Sequence, residues 1–348
     1  MQHWDRKTYR TRLAKQAVMT ILVVASIAIL ASKSRSNDLG QAPRLKTLAT
    51  LHIEASELSG LSAVKKSANG SYLVSIVGDG SPQVIEVSLD EQLKLQSSNV
   101  VDFTKAVDER FALCHAEIGP GCKDALKMIR AQWEAFAIDG RGRNFLLQES
   151  SHAIIVMNSS MSDVQNVVNF DFSKSKFAPS RDSKKQKKVD DDLSAEGFVL
   201  LRNGHILIAK EKNPAVLGEF GPASSKALGI NKDTILGDNE VFEIQGNAER
   251  SSLVLLAEWR IAGHGKCDVS DLTADKSGVV YVLSENCRSI QKIDRLVPDG
   301  EVAVPVNQWR LPKSVRNPEG FSIDELNRFW VVSDLKERGN NLFIVAPQ

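Results

Sequence analysis

Hydrophobic and polar residues alternate along the chain in a unit that occurs five times. Each unit has a short apolar stretch, a polar turn that usually holds Gly or Asn, and a second apolar stretch that ends near a carboxylate. The units occupy residues 57–80, 134–149, 196–211, 270–285 and 319–334. Two short apolar strands around a polar turn are typical of a β-hairpin. The pattern therefore predicts five β-hairpins.

The spacing inside four of the units is constant. Fifteen positions separate the first and last polar residues in Glu134 and Glu149, Glu196 and Glu211, Ser270 and Glu285, and Glu319 and Asp334. Because each turn lies midway, the two residues of a pair lie side by side at one end of the hairpin. Each unit therefore places two oxygen-bearing side chains at the same rim. The first unit is two residues longer and has Ile76 where the carboxylate is expected, with Asp79 in the loop beyond.

Repeated antiparallel units without interleaved helices are typical of a β-propeller, whose sheets, called blades, surround an axis. The units start 75, 62, 74 and 49 residues apart, and the stretches 104–131, 173–193 and 215–240 have the character of insertions. Without them the repeat is 41–49 residues, as in a four-stranded blade of roughly 40–50. The last unit reaches this length only if residues 45–58 complete it and close the ring. We predict an all-β, five-bladed propeller over residues 45–348; a six-bladed propeller, the alternative, would need a further motif hidden in an insertion.

An uncharged run from Gln16 to Ser32 precedes the repeats. Its apolar core would cover about 22 Å as a helix, against a hydrocarbon thickness of roughly 30 Å. We predict one N-terminal hydrophobic helix at 17–32 that acts as an uncleaved transmembrane signal anchor, between a basic head (1–16) and a linker (33–44). A cleaved signal peptide is the alternative, although the end of the run offers a poor cleavage site. Five basic residues before the run and two after it place the N-terminus in the cytoplasm and the body outside.

Charge is divided unequally along the 348 residues. The formal net charge is +1, but residues 1–35 hold seven basic side chains and one acid, so the remainder is net negative. No basic stripe with interleaved aromatic residues occurs, and we therefore expect no nucleic-acid partner. The expected partners are the membrane, through the N-terminal helix, and a small molecule or protein that the sequence does not identify.

One rim of the predicted propeller collects the residues that begin the units. These are Glu134, Glu196 and Glu319, with Ser59 and Ser270 in the two remaining positions. Three carboxylates that converge on one channel repel each other unless a cation or a shared proton relieves them. Oxygen ligands without His or Cys suit Ca²⁺ or Mg²⁺, and the adaptable spacing of loop-end ligands favours Ca²⁺. In the alternative interpretation, each Glu accepts backbone amides or pairs with a neighbouring Lys.

The second strand of each hairpin ends in another set of polar residues. The set comprises Glu149, Glu211, Glu285 and Asp334, with Lys210 and Asn213. One hypothesis is a ligand site on the propeller face, where lysine attracts an anionic group. The alternative is ion pairing between blades at a solvated rim.

Three acids near Ser59 and Ser270 are candidates to add negative charge at the rim where the units begin: Glu57, Asp268 and Asp271.

The four cysteines fall into two local pairs. Residues paired across a hairpin have a constant sum of indices, and Cys267 and Cys287 match the fourth hairpin to within one. We therefore expect a disulfide between them. Cys114 and Cys122 are close enough in sequence to close a small loop in the first insertion, and free buried thiols are the alternative for both pairs. Two local disulfides suit an oxidising compartment.

At these residues the sequence resembles a known family. The motifs are Glu57-Leu-Ser-Gly-Leu, Glu196-Gly-Phe, Ala209-Lys-Glu-Lys-Asn-Pro214, Asp268-Val-Ser-Asp-Leu, Leu283-Ser-Glu285, Asn317-Pro-Glu-Gly-Phe and Val332-Ser-Asp334. They are similar to those of the SdiA-regulated (YjiK-like) family, over about residues 45–348. The resemblance implies a five-bladed propeller with a bound calcium ion, distantly related to NHL-repeat propellers. It also implies a single-pass anchor in the bacterial inner membrane, with the C-terminal domain in the periplasm.

The sequence contains no nucleophile elbow, phosphate-binding Gly loop or His-Glu-x-x-His motif, and its six His are scattered. We therefore predict a membrane-tethered extracytoplasmic propeller that binds a divalent cation, Ca²⁺ being favoured, and serves as a ligand- or partner-binding module. The alternative is a metal-dependent hydrolase of a small ester, lactone or phosphoester, with Glu211 or Glu149 as base. A third interpretation is a scaffold whose acidic rim is structural.

Overall fold

A computed structural model gives the fold of most of the chain. It describes residues 42–55, 57–112, 130–149, 151–177, 195–211, 214–244, 250–263, 267–335 and 339–348. The basic head and the predicted anchor at 17–32 lie outside these ranges, so the anchor stays a prediction. Within the described part of the chain, no helix has the length and apolar character needed to span a membrane.

The described residues form 23 strands, the α-helix α1 and two short 3₁₀-helices, Phe172–Lys174 and Arg202–Gly204. Strand β1 (Lys46–Leu51) comes first. Blade 1 has β2 (Leu58–Leu61), β3 (Lys65–Lys66), β4 (Tyr72–Gly78), β5 (Ser81–Leu89) and β6 (Leu95–Asp102), followed by α1 (Thr104–Ala112). Blade 2 has β7 (Trp133–Ile138), β8 (Asn144–Gln148), β9 (Ala153–Met157) and β10 (Val164–Asn169). The next strands are β11 (Ala195–Leu200), β12 (Ile206–Lys210), β13 (Val216–Gly221), β14 (Arg250–Ser252) and β15 (Val254–Ile261).

The C-terminal third continues the same order. Its first strands are β16 (Asp271–Ala274), β17 (Val280–Ser284), β18 (Ser289–Ile293), β19 (Val302–Ala303) and β20 (Pro305–Arg310). The last three are β21 (Pro318–Ile323), β22 (Phe329–Ser333) and β23 (Leu342–Ala346). Blade 3 is β11-β12-β13-β15 with β19 at its edge, and blade 4 is β16-β17-β18-β20. Strand β14 lies at the edge of blade 2.

The N-terminal strand completes the last blade. Blade 5 has the order β21-β22-β23-β1, and β1 pairs antiparallel with β23, with Lys46 opposite Ala346 and Leu51 opposite Leu342. The described residues thus form five sheets, and the inner strands β2, β7, β11, β16 and β21 each contact both neighbours around the axis. The five-bladed prediction is confirmed, and the described parts of the insertions add no sixth sheet.

Hydrophobic clusters between neighbouring blades hold the ring together. Each of five clusters in the described residues draws its side chains mainly from two adjacent blades. Between blades 1 and 2, for example, the rings of Phe103 and Trp133 meet edge to face with centroids 5.1 Å apart. The middle strands β8, β9, β12, β17 and β22 are buried along their whole length. They are apolar on both faces because each blade is covered on both sides by its neighbours.

Glycine at the start of three inner strands permits their close approach around the axis. A Cβ on Gly320 would lie 1.9 Å from the carbonyl oxygen of Ser59, and one on Gly60 would lie 2.5 Å from that of Glu134. A Cβ on Gly197 would lie 2.5 Å from the amide nitrogen of Leu272. No side chain fits at these distances. The glycine of the repeated triplets therefore sets the width of the ring.

The prediction of an insertion over residues 215–240 is wrong at its start. Val216–Gly221 is the buried third strand of blade 3. Its two glycines and its carboxylate are typical of a loop sequence. Glu219 is nevertheless fully buried, and both oxygens of its carboxylate have hydrogen-bond partners. Its Oε1 lies 2.7 Å from Nδ1 of His205 and accepts the amide of Leu228, while Oε2 accepts the amide of Gly229. The inserted segment therefore begins after residue 221 and extends to the start of β14 at Arg250.

Candidate functional site

The residues expected at the rim lie at irregular positions in the inner strands. Ser59, Glu134, Glu196 and Glu319 each interrupt the antiparallel register with the second strand of their blade. In blade 2, for example, Trp133 faces Gln148 and Ala135 faces Leu147, so Glu134 is the extra residue of a β-bulge. A bulge turns a side chain out of the regular alternation and is common beside functional sites. The fold thus repeats one local distortion in four of its five blades.

Strained backbone accompanies three of these bulges. Glu57, Gln132 and Asn317 precede the bulge residue by two positions, and their φ angles are 56°, 63° and 40°. Their carbonyl oxygens accept hydrogen bonds from the amides of Asp79, Glu149 and Asp334, which follow the second strand of the same blade. Left-handed conformations of non-glycine residues cost about 1–3 kcal/mol each and cluster at functional sites. The repeated geometry fixes the bulge and the strand end against each other.

The register corrects the alignment of the first unit. Leu58 faces Gly78, just as Pro318 faces Ser333 in blade 5, so Asp79 is the counterpart of Asp334. Ile76 is a buried residue inside β4 and does not occupy the acidic position. The connection from β2 to β4 contains β3 and is longer than the turns of the other blades. This extra length shifted the sequence alignment of the first unit. Every blade therefore supplies a strand-end carboxylate, and we call this set the outer ring: Asp79, Glu149, Glu211, Glu285 and Asp334.

Glu134, Glu196 and Glu319 form what we call the inner ring, and its electrostatics show that its members converge. All three side chains are partly buried. Burial raises the pKa of Glu134 well above its ordinary value, and the negative charges of Glu149, Asp79 and Glu319 raise it further. Burial likewise raises the pKa of Glu196, with contributions from Glu134, Glu149, Glu211 and Glu319. Desolvation and like charge act in the same direction here.

The charges that act on Glu319, the third member of the inner ring, come from blades 3, 4 and 5. Burial raises the pKa of Glu319 to about 9, and the charges of Glu285, Asp334, Asp268 and Glu211 add to the effect. The carboxylates expected at the inner rim and those expected at the strand ends thus form one acidic face. In the protein without a bound cation, Glu319 carries a proton at neutral pH.

The donor chemistry of this face suits a hard divalent cation, because it offers many carboxylate oxygens from five blades. Among the residues that the structure describes, however, no three Asp, Glu, His or Cys side chains stand together in positions to share one metal ion. The pKa values are raised because negative charges are held near each other and away from water. The same arrangement of carboxylates is what attracts a cation.

The two Ser positions and their neighbours have structural contacts. Ser59 and Ser270 are buried, and Oγ of Ser270 donates a 3.0 Å hydrogen bond to the carbonyl oxygen of Pro318 in blade 5. Asp271 is buried, and its carboxylate accepts backbone amides from Leu272 and Phe321. Ser270 and Asp271 therefore join blade 4 to blade 5. Lys210 is fully buried at the end of β12. Asn213 lies outside the described residues.

A disulfide lies beside the acidic face. It joins Cys267 to Cys287, with Cα atoms 5.4 Å apart. The adjacent Asp268 accepts a 2.8 Å hydrogen bond from Oγ of Ser284, which fixes the carboxylate whose charge acts on Glu319. The expected partners Cys114 and Cys122 lie outside the described residues.

Comparison with solved structures finds other proteins of related shape at low sequence identity. A gluconolactonase from Xanthomonas campestris shows 11% identity over 88% of this chain and 95% of its own, with a TM-score of 0.42. Regucalcin from Agrobacterium tumefaciens, described as a calcium-binding protein, shows 8% identity over 88% and 94%, with a TM-score of 0.41. Streptogramin B lyase shows 12% identity over 86% and 96%, with a TM-score of 0.37. No curated protein matches the sequence.

A family model gives the assignment. The model of the SdiA-regulated family matches residues 133–344, from the first strand of blade 2 into the last strand of blade 5. This range holds the inner ring and four members of the outer ring. Together with the five-bladed fold, the match agrees with the motifs of the sequence. The chain belongs to the SdiA-regulated family.

Proposed function

We propose that this protein is a membrane-tethered, extracytoplasmic propeller that binds a divalent cation at its acidic face, Ca²⁺ being favoured, and serves there as a ligand- or partner-binding module. One observation carries the proposal: Glu134, Glu196 and Glu319 come from three blades, and burial and the surrounding carboxylates of the two rings raise the pKa of all three. Such a concentration of buried negative charge opposes folding unless protons or a cation neutralise it. A divalent cation does this while keeping all three carboxylates ionised.

The inner ring supplies the candidate ligands, and the outer ring supplies further charge. Glu134, Glu196 and Glu319 offer oxygen donors from bulges, and these donors must come closer together than they stand to share one ion. Ca²⁺ tolerates six to eight oxygen ligands in flexible geometry, whereas Mg²⁺ demands a near-ideal octahedron. The adaptable donor set therefore supports Ca²⁺. Because the ligands bind protons when the cation is absent, cation binding releases protons.

The membrane location rests on the sequence and is consistent with the disulfide. The uncharged run at 17–32 follows five basic residues, as in an anchor whose N-terminus stays in the cytoplasm. The Cys267–Cys287 disulfide is typical of a protein that folds in an oxidising compartment such as the periplasm. Protease treatment of spheroplasts tests this part: digestion of the propeller without lysis supports it, and complete protection contradicts it.

Thermal unfolding of the full-length chain tests the cation. In EDTA and in excess Ca²⁺, the wild type is compared with Glu196→Gln, and with Glu243→Gln, an exposed control in the inserted segment. A ligand at 100 times its Kd stabilises the folded state by about 2.7 kcal/mol. We expect Ca²⁺ to raise the Tm of the wild type and the control by several degrees and to leave Glu196→Gln unchanged. No Ca²⁺-dependent shift in the wild type would overturn the proposal.

A second candidate function is a metal-dependent hydrolase of a small ester, lactone or phosphoester. The observation that favours it is the number of carboxylates, since the outer ring remains after the inner ring has provided ligands. A bound cation would polarise a substrate oxygen, and Glu211 or Glu149 would accept a proton from water. Hydrolysis that EDTA and Glu211→Gln both abolish, while Glu211→Gln still gains stability from Ca²⁺, supports this candidate. Absence of turnover across all three substrate classes contradicts it.

A further inference from the structure

The end of the channel opposite the acidic face is crossed by part of the inserted segment. We call residues 230–242 the covering segment and this end of the channel the covered mouth. The segment is held to three blades by backbone hydrogen bonds: Ile230 N–H to Leu296 O at 2.8 Å, Leu236 N–H to Leu200 O at 3.1 Å, and Gly140 N–H to Glu240 O at 2.7 Å. The covering segment is therefore an ordered wall.

Two turn glycines make room for this wall. A Cβ on Gly140, in the first turn of blade 2, would lie 2.3 Å from the carbonyl carbon of Asn239. A Cβ on Gly278, in the corresponding turn of blade 4, would lie 2.0 Å from that of Asn231. Gly278 also has a φ of +79°, which disfavours any other residue. The two blades are thus shaped to receive the covering segment.

Two adjoining cavities remain at the covered mouth. One of about 550 Å³ lies between the turns of blades 1, 4 and 5, and one of about 260 Å³ extends into the channel. They share Ala63, Asp238, Ala274, Asp275 and Lys276 in their walls. Cavities of this size accept small molecules.

The smaller cavity is apolar where it enters the channel. Its walls include Leu61, Ile138, Leu200 and Leu236. Three of these residues come from the ends of inner strands or just beyond, and Leu236 comes from the covering segment. The aliphatic walls suit a short hydrocarbon chain, which gains stabilisation when it leaves water.

Most of the basic side chains around the two cavities have a charged partner, including Arg202, which pairs with Glu240. Asp238 lies 2.7 Å from Nζ of Lys276, and Glu325 lies 3.4 Å from Nζ of Lys66. The other acids in the walls accept internal hydrogen bonds: Asp275 from Val279 N–H and Tyr281 Oη–H, Asp324 from Arg328 and Trp330, and Asp271 from Leu272 and Phe321.

Two exposed lysines remain. Lys65 lines the larger cavity and Lys232 the smaller one, and neither has an ion-pair partner among the described residues. The acids of the walls keep their negative charge but are already held by these ion pairs and hydrogen bonds, whereas the two lysine ammonium groups have no ion pair in the part of the chain that the structure describes. An anionic group is therefore complementary to these two lysines.

We propose that the covered mouth binds a small amphipathic anion, with its aliphatic body in the smaller cavity and its charged group at Lys232 and Lys65. The site opens at the end of the channel opposite the acidic face, and its smaller cavity reaches inward as far as Ala135 and Asp271. It requires no cation. It would give the propeller a second binding site, which recognises a carboxylate or another monoanion that carries a short hydrocarbon chain.

Calorimetry with the full-length chain in EDTA tests this proposal, with hexanoate, octanoate and 1-octanol as probes. We expect octanoate to bind more tightly than hexanoate, by about threefold to fourfold for each added methylene. The Lys65→Glu/Lys232→Glu variant is expected to weaken octanoate by about tenfold or more, since attraction becomes repulsion. The Lys226→Glu control lies in the inserted segment outside both cavities and is expected to bind as the wild type does.

Ala63→Trp provides a test that does not depend on charge. Ala63 is exposed and lines both cavities, so the indole obstructs the region that they share without entering the core. We expect this variant to unfold at the wild-type temperature and to lose octanoate binding. Three results would overturn the proposal: no octanoate binding to the wild type, undiminished binding to Ala63→Trp, or 1-octanol binding as tightly as octanoate. If Lys226→Glu weakened octanoate binding as much as the double variant does, the assignment of the charged group to Lys65 and Lys232 would also be contradicted.

Discussion

The amide of Phe321 donates a 2.7 Å hydrogen bond to Oδ2 of Asp271 and so joins the inner strand of blade 5 to that of blade 4. The other carboxylate oxygen accepts the amide of Leu272, at 2.6 Å. Burial raises the pKa of Asp271 well above its ordinary value, while the two amides act in the opposite direction. Asp271 occupies in blade 4 the position that Gly197 and Gly320 occupy in blades 3 and 5. At this position in blade 4, hydrogen bonds to Asp271 take the place of the close contact between strands that glycine permits.

Substitution Asp271→Asn is expected to destabilise the ring. The amide nitrogen of Asn replaces one acceptor oxygen and confronts a backbone N–H, so one buried donor loses its partner. Such a loss costs about 1–3 kcal/mol. Urea unfolding measures the change, with Asp299→Asn, an exposed residue, as control. Equal stability of the two variants would show that the link between blades 4 and 5 contributes nothing.

Substitution Gly320→Ala is expected to be more damaging, because its Cβ would overlap the carbonyl oxygen of Ser59 at 1.9 Å. The two inner strands must then separate, which disturbs the packing of blades 5 and 1. Overpacking of this kind costs ~3 kcal/mol or prevents folding. Gly339→Ala is the matched control, since its Cβ would approach Cδ1 of Leu335 only to 3.6 Å. Soluble yield and the free energy of unfolding compare the two, and a Gly320→Ala protein as stable as the control contradicts the prediction.

The hairpin pattern predicted the blades because each strand is short and its apolar residues are all needed to fill the clusters between neighbours. It also predicted closure by β1, which follows from the length of the last unit. The bulge at Glu134 was not predictable, because the sum of indices assumes a regular ladder, and one extra residue leaves no mark in composition.

Two other features depend on contacts between distant parts of the chain. Asp79 became the acid of blade 1 only when the register of β2 and β4 was known. The sequence marked most of the covering segment only as an insertion, because its hydrogen bonds join residues such as Gly140 and Glu240, which are far apart in sequence. Local patterns contain no information about such pairs.

The stability of the protein without a cation is expected to fall as pH rises. Glu319 has a pKa of about 9 in the folded state and an ordinary value of 4.5. The folded state therefore holds a proton that the unfolded state has lost between these values, so the free energy of unfolding decreases through this window. Its stabilising contribution is fully present below about pH 4.5 and is lost as pH rises through about 9. Glu134 and Glu196, whose pKa values are also raised, act in the same direction.

Urea unfolding in EDTA at several pH values measures this dependence. Glu319→Gln removes one of the titrating groups and is expected to give a smaller decrease between pH 5 and pH 9 than the wild type, while Glu243→Gln is expected to behave as the wild type does. If the proposed cation binds, its affinity rises over the same range because protons compete for the carboxylates. A wild-type stability that is constant or increases with pH would contradict the electrostatics of the inner ring.

Reduction of the Cys267–Cys287 disulfide is expected to destabilise the propeller at the edge of its acidic face. The bond closes a loop with a sequence separation of 20, for which the loss of unfolded-state entropy corresponds to about 3 kcal/mol. Cys267→Ala/Cys287→Ala is expected to lose this amount in oxidising buffer and to match the reduced wild type. Because Asp268 follows Cys267 and its charge acts on Glu319, the variant is also expected to have a lower pKa at Glu319 and a shallower dependence of stability on pH. A variant as stable as the oxidised wild type would show that the surrounding strands alone hold this loop.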